Sequence, residues 1–421
     1  MRIYFSGIGG VGVGPLAEIA LDAGYGVAGS DLAEGLMTQQ LSARKVPLAF
    51  NQSGDFLRDE HAKDPFDWFV YTAALPDNHT ELVVARELGI KTAKRDELLA
   101  HIIAEKNLKL IAVAGTHGKT TTTGMLVWAL QQLDVPVSYS VGTTLSWGPS
   151  GKFNPESEYF VYECDEFDRN FLHFSPYLSL ITTIEYDHPD TYASEREYFD
   201  AFMQFEQQSE QSILWQEDAT AANINDPRAW CLQPGEVMNL QLAGEHNRRN
   251  ATLVYKALER LGLGTPEKNA TALETFLGTN RRFEKLATNL YSDYGHTPTE
   301  IAATLQMADE LAERIVLVYQ PHQNIRQHEI YSQYTDEVFE KADAIYWLPT
   351  YQSREDPSLE ILTPQQLTKN LNRKKPLMFC TLNDELWSHI QIELHKGKLV
   401  LCMGAGSIDE WLRKHTPQNI S

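Results

Sequence analysis

Lys119 and Thr120 lie in AGTHGKTTTT, Ala114 to Thr123, directly after the apolar run LKLIAV. A strand, a glycine turn, a lysine, a hydroxyl and a helix start together make a cradle for nucleotide phosphates. The usual spacing, G-x-x-x-x-G-K-[ST], would place the leading glycine at position 113, which is Val113; Gly115 comes two residues later. The strict pattern therefore fails while its chemical parts are present. On this reading Lys119 reaches the terminal phosphates and Thr120 turns its hydroxyl to Mg²⁺. The backbone N–H groups from Gly115 through Thr116, His117, Gly118, Lys119 and Thr120 to Thr121 surround the β-phosphate. A run of threonines is poor helix interior, so four at a helix start point to caps or ligands.

Carboxylates follow. ECDEFD, Glu163 to Asp168, comes after the strand-like EYFVY, and EYDHPD, Glu185 to Asp190, comes after YLSLITTI with His188 at its centre. Each alone is an ordinary solvated acidic loop, and a lone His188 is an ordinary structural histidine. Two such clusters past separate strands, downstream of a phosphate loop, point to Mg²⁺ ligation. Near the N-terminus, Gly7, Gly9 and Gly12 form G-x-G-x-x-G between a strand and a helix, and Asp31 ends the next strand. Glycines there bring a diphosphate against a helix N-terminus, and a nicotinamide dinucleotide is the first ligand the pattern suggests. Further candidates are Arg282 in NRRF, Asp293 and His296 in SDYGHTPTEI, and His322 and Arg326 in QPHQNIR.

The elements that must position these residues are legible in outline. At 421 residues the chain has room for two or three domains. Hydrophobic residues make up 43% and charged ones 22%, enough for ordinary cores. The formal charge of −21 opposes a nucleic-acid partner, but not a small nucleotide held by one local nest. Cys164, Cys231, Cys380 and Cys402 form no C-x-x-C pair, so neither zinc nor a disulfide framework is expected. MRIYFSGIGG reads as a strand and glycine turn rather than a signal peptide, and no apolar run approaches the ~20 residues of a membrane span. The expectation is a soluble cytoplasmic protein. Strand–helix alternation in three blocks predicts an α/β chain of mostly parallel sheets with helices on both faces.

Taken in order, the motifs resemble the Mur ligase family. GIGGVG with GSD, GTHGKTTTT, E-x-D-E-x-D, E-x-DH-x-DTY, G-x-HN-x-x-N, RRF, DYGH-x-PTEI, QPH and GAGSI follow the family's order over nearly the whole chain. The shortened glycine loop is the form this family uses. The resemblance implies three domains. Residues 1–106 would be a Rossmann-like UDP-sugar domain, with Gly9, Gly10, Val11, Gly12, Asp31, Thr72 and Ala73 at the ligand. Residues 107–278 would be a central P-loop ATPase-like domain, and 279–421 a C-terminal Rossmann-like domain for the amino acid. It further implies Lys119, Glu163, His188, Arg282 and Asp293 as catalytic residues, with Thr120, Glu163 and His188 on Mg²⁺. Asn247 and Asn250 would lie near the nucleotide base, Arg282 and Asp293 would close over ATP, and His296, His322 and Arg326 would line the amino-acid pocket. The implied reaction joins L-alanine to the lactyl carboxylate of UDP-N-acetylmuramate through an acyl phosphate, releasing ADP and phosphate, for peptidoglycan synthesis. The implied partners are those three substrates, without nucleic acid or membrane, in a monomer or homodimer.

The chain departs from the family pattern in places. Ser292 and Thr297 alter DDYGHHPTE, and Gln323 alters QPHRYSRT although Arg326 remains. These changes fall where the incoming amino acid is expected, so alanine is the default acceptor and glycine or serine stay open. No lysine occurs from Pro189 to Asp226, so a carbamoylated lysine is absent there and His188 with water takes its place. Three rival readings remain: a ligase that recycles preformed peptide onto UDP-N-acetylmuramate, a nicotinamide-dependent dehydrogenase, and a nucleotide-binding homologue without catalysis.

Overall fold

The computed structural model describes residues 1–416 except 11, 73, 74, 190, 354, 373 and 374; Val11 and Ala73 thus lie outside the described residues. Three sheets follow one another along the chain. The first holds β1 Arg2–Ser6, β2 Gly26–Ser30, β3 Leu48–Ala49, β4 Trp68–Tyr71 and β5 Lys91–Lys94, all parallel, in the order β3-β2-β1-β4-β5. The second holds β6 Lys109–Ala114, β7 Val137–Ser140, β8 Gly151–Lys152, β9 Tyr159–Glu163, β10 Leu178–Ile181, β11 Ser212–Trp215 and β12 Ala229–Leu232. Its order is β12-β11-β10-β6-β9-β7-β8, parallel except for the β7–β8 edge pair.

The third sheet holds β13 Glu284–Ala287, β14 Leu290–Asp293, β15 Ile315–Tyr319, β16 Ala344–Trp347, β17 Leu377–Phe379 and β18 Leu399–Met403. It runs β13-β14-β18-β15-β16-β17, with β13 antiparallel to β14. Central strands such as β6 (KLIAVA) and β15 (IVLVY) are buried almost throughout, as parallel strands covered on both faces must be.

By contacts the described chain divides into two units, 1–237 with 250–277 and 238–249 with 278–421. The first unit contains two sheets because they share one core. Ile3, Phe5, Leu98 and Ile102 from the first block pack in the same cluster as Leu110, Tyr162, Phe171 and Phe202 from the second. Apolar clusters cover both faces of the third sheet in the second unit. Residues 238–249 join that unit through Arg248, which makes two 2.8 Å hydrogen bonds to Glu310. Among the described residues no helix is long and apolar enough to cross a membrane, and all four cysteines are free.

The sheet orders place the predicted motifs. In each doubly wound sheet, ligands collect at the carboxyl ends of strands where the order reverses. β1 lies between β2 and β4, so the glycine turn after β1 stands beside Asp31 after β2. β6 lies between β10 and β9, so the phosphate loop is flanked by Glu163 at the end of β9 and by the chain leaving β10. β14, β18 and β15 are neighbours, which brings together the ends carrying Asp293, Gly404 and Gln320.

Candidate active site

The loop after β6 turns through two left-handed glycines, Gly115 at φ +135° and Gly118 at φ +83°. A Cβ on Gly115 would lie 2.2 Å from Thr182 Oγ1, and one on Gly118 would lie 2.9 Å from Asn250 Oδ1. Glycine is therefore required twice, by backbone angle and by close approach. The loop is tied to the chain leaving β10: Thr116 N donates to the Thr183 carbonyl (2.9 Å) and His117 N to Thr183 Oγ1 (3.0 Å). These two amides are thus spent on the protein here. The helix Lys119–Gln132 starts from Gly118, and its first N–H groups are the orphan donors of any helix start.

Lys119 Nζ folds back over this loop. It donates to the Gly115 carbonyl at 2.6 Å and to both oxygens of Glu166 at 2.7 and 3.0 Å. His188 Nε2 lies 3.4 Å from the same carboxylate, and Asp165, Glu166 and His188 bring one ligand atom each within 4.8 Å of one another. Burial works against charge on Lys119, but Glu166 and Asp165 outweigh it and hold the ammonium above its ordinary range. Burial likewise opposes the Glu166 carboxylate, which Lys119 and His188 hold below its ordinary range. His188 is pulled down by burial and carried above its usual value by Glu166 and Asp187. Asp165 goes the other way, pushed up by burial despite Lys119. His188 also takes φ +58°, a left-handed backbone uncommon for a side-chain-bearing residue.

Glu163 makes a second contact set. Thr120 Oγ1 donates to its Oε1 at 2.7 Å and Gly142 N to its Oε2 at 2.8 Å. The expected metal group of Thr120, Glu163 and His188 therefore appears as two adjoining pairs, Thr120 with Glu163 and His188 with Glu166. The donor set fits Mg²⁺, a hard cation that takes carboxylate and hydroxyl oxygens. The remaining threonines are mostly structural: Thr123 Oγ1 donates to the Lys119 carbonyl one turn back, and Thr122 is fully buried. Glu166 was present in the acidic motif but not distinguished from its neighbours. The sheet order brings the whole motif beside β6, and the side-chain contacts separate its members: Glu166 takes Lys119 while Glu163 takes Thr120 and Gly142.

The turn after β1 has Gly7 at φ +77°, and Asp31 Oδ2 accepts from Gly9 N at 2.7 Å. A Cβ on Gly9 would lie 2.9 Å from that same oxygen. Beneath the turn, fully buried Glu81 accepts from Tyr4, Ser6 and Ser30 hydroxyls at 2.6–2.7 Å, joining β1 to β2. Thr72 directly follows β4, and its methyl would lie 3.2 Å from a Cβ on Gly7.

In the second unit, Asp293 is buried, accepts from Phe283 N and Gly295 N at 2.7 Å each, and is raised above the carboxylate range by burial with Arg282 opposing. The Arg281 and Arg282 guanidiniums lie 4.7 and 5.0 Å from the Tyr294 ring. The His296 and His322 rings meet at 5.5 Å, and His322 stacks on Tyr351. Burial, then His296 and the nearby arginines, pull His322 down to about 4. Arg326 pairs with Glu329 at 2.8 Å. Two of the altered positions have structural partners: Thr297 caps the helix Pro298–Asp309 in a capping box with Glu300, and Ser292 donates to Asp409 at 2.7 Å. Asn250 stands against Gly118, whereas Asn247 donates to the Ala243 carbonyl at 3.1 Å.

Family models match this arrangement along the chain: the Mur ligase family catalytic domain at 2–107, the Mur ligase middle domain at 113–230 and the Mur ligase glutamate ligase domain at 281–406.

The chain belongs to the Mur ligase family.

This Mur ligase is 31% identical over 452 residues to the UDP-N-acetylmuramate–L-alanine ligase of Carboxydothermus hydrogenoformans, covering 97% of this chain and 95% of that one. Among solved structures it is similar to UDP-N-acetylmuramate-alanine ligase from Thermotoga maritima, with TM-score 0.74, 25% identity and 98% of each chain covered. A murein peptide ligase from Psychrobacter arcticus shares the fold at TM-score 0.65 and 21% identity, covering 100% of this chain and 99% of that one. The three-domain α/β Mur ligase fold expected from the motifs is thus the fold found.

Proposed function

We propose that this Mur ligase joins L-alanine to the lactyl carboxylate of UDP-N-acetylmuramate, using ATP and releasing ADP and phosphate, as a step in peptidoglycan precursor synthesis. The identity over 97% of the chain to a ligase of that name supports the substrates. The observation that carries the chemistry is Lys119, set in a glycine turn between two acidic strand ends.

A carboxylate is a poor acyl donor because its leaving group would be oxide. Transfer of the γ-phosphoryl group onto it makes an acyl phosphate, which the amine of alanine displaces with loss of phosphate. Two anions must meet in the first step, so the site has to gather positive charge. Lys119 supplies one such charge to the nucleotide phosphates, and the helix start after Gly118 supplies N–H groups. Mg²⁺ held by Thr120, Glu163, Glu166 and His188 would add charge neutralisation at the phosphates. We assign Arg282 and Asp293 to ATP, and Asn247 and Asn250 to its base, as the family resemblance implies. His296, His322 and Arg326 bind the amino acid, and a His322 that is neutral near pH 7 can accept a hydrogen bond from an amine. Gly9 to Gly12, Asp31, Thr72 and Ala73 hold the UDP-sugar. We place domain boundaries at 106/107 and 278/279, and the protein in the cytoplasm.

The test is an amino-acid screen for phosphate release with UDP-N-acetylmuramate and Mg-ATP. Release with alanine, and less with glycine or serine, is expected. Release only with a preformed peptide would replace this reading with the recycling ligase.

A further inference from the structure

Arg95 opens the helix Arg95–Glu105 directly after β5, a position where a cation works against the helix dipole. Its side chain lies against the glycine turn. A Cβ on Gly12 would stand 3.1 Å from Arg95 Nη1 and 3.9 Å from its Cδ. The stem is held from the other end: Nε donates to Asp96 Oδ1 at 3.3 Å, and buried Asp96 in turn accepts from the Tyr162 hydroxyl on β9. A guanidinium carries five N–H donors. Among the described residues, none accepts from the four on Nη1 and Nη2.

The turn itself has few donors to offer. The amides of Gly9, Gly10, Val13 and Gly14 donate to Asp31, Gly7, Gly10 and Gly10, and residue 15 is proline. Neighbouring Lys94 is committed to Asp168 at 2.8 Å. A diphosphate at this turn therefore finds most backbone amides already used and an anchored, open guanidinium fork beside Gly12.

We infer that Arg95 is a substrate-binding residue whose Nη1 and Nη2 grip the diphosphate of the UDP-sugar at the Gly9–Gly12 turn. The inference rests on reading that turn as the UDP-sugar site. It also gives Gly12 a reason to be glycine that the fingerprint alone lacks: a methyl there would crowd the fork.

Calorimetric titration of uridine, UDP and UDP-N-acetylmuramate into the native protein, repeated with Lys119→Ala to identify any binding at the phosphate loop, provides the test. Adding Arg95→Gln should weaken UDP and the UDP-sugar alike by about ten- to a hundredfold, as expected for losing a charged hydrogen bond, and leave uridine unchanged. Arg95→Lys should recover only part of the loss, because it restores charge without the fork, and it retains the cation should the glutamine variant fold poorly. Unchanged UDP affinity with weakened UDP-sugar would overturn the inference in favour of a contact to the lactyl carboxylate. Equal loss for uridine and UDP would overturn it in favour of a structural role. If the parent protein binds none of the three, the reading of the turn itself falls.

Discussion

Lys119 Nζ lies 2.7 Å from Glu166 Oε2, and the glutamate side chain is only 1% exposed. In this geometry the lysine expected on ATP is held by the protein, so a triphosphate that engages it must draw it away from Glu166. Removing one member of a buried pair strands the other's charge and costs about 3–5 kcal/mol. Lys119→Met should therefore lower stability in urea denaturation by roughly the lower end of that range, about 3 kcal/mol, because His188 still faces Glu166. The double variant Lys119→Met/Glu166→Gln should recover much of the loss, giving a coupling energy well above zero. Either lysine variant should abolish phosphate release while leaving UDP-sugar affinity intact. Retained ligase activity would contradict the assignment.

The two loop glycines should not be equally sensitive. A methyl on Gly118 meets the amide of Asn250, a side chain, whereas on Gly115 it meets Thr182 Oγ1 at 2.2 Å and the Thr183 backbone at 2.9 Å. Gly118→Ala should cost about 1–2 kcal/mol, mostly for the left-handed backbone, and Asn250→Ala should relieve part of it. Gly115→Ala should cost more and find no such rescue. Thermal melts of the three variants, with ATP affinity measured alongside, decide the order.

Glu81 joins the first two strands of the first sheet from below, with three hydroxyls donating to one buried carboxylate. Glu81→Ala leaves those hydroxyls without their acceptor and opens a void, at a cost of about 3 kcal/mol. Glu81→Gln keeps the volume but places an NH₂ group against hydroxyl donors, and should cost less. Urea midpoints compared with uridine affinity would separate a stability effect from a direct ligand contact.

Glu310 is held down to about 2, chiefly by its hydrogen bonds with Arg248 and also by the Gly244 amide. Its folded value is below its unfolded one, so the stabilisation is present above pH ~4.5 and is lost as pH falls toward ~2. Glu310→Gln should remove about 2 kcal/mol at neutral pH, a partial share of the full shift because the pair is partly solvated. The gap between variant and parent should close in that acid window. A gap that persists unchanged at pH 2.5 would show that packing, not charge, is responsible.

Much of this was legible in the residues because local chemistry and strand ends travel together. β6, its glycine turn and the helix from Lys119 were readable from LKLIAVAGTHGKTTTT, and both acidic motifs could be placed after strands. What could not be read was adjacency across the sheet. That β9 and β10 flank β6 is an order no local pattern encodes; that Glu166 and not Glu163 meets Lys119 depends further on the path of the chain after β9, with Glu163 already taken by Thr120 and Gly142. Within the threonine run, which points to caps or ligands, the pattern does not tell Thr120, whose hydroxyl reaches Glu163, from Thr122 and Thr123, which turn inward within the helix. The helix Glu195–Gln208 is local in the same way: Ser194 accepts from Glu197 N at its cap, and Tyr198, Ala201, Phe202 and Phe205 form its buried stripe at helical spacing. Thr297 opens T-P-T-E, a capping-box signature that local sequence carries, whereas the bond from Ser292 to Asp409 spans 117 residues and depends on the fold.

The common core beneath the first two sheets has a bearing on how this chain can be taken apart. Leu98 and Ile102 on one side and Tyr162 and Phe171 on the other are sealed from water by each other. A cut between residues 107 and 113, where one family model ends and the next begins, leaves an oily scar on both fragments. The glycine turns after β1 and after β6 are thus built on a single slab, and an isolated middle fragment lacks half of the core beneath its own turn.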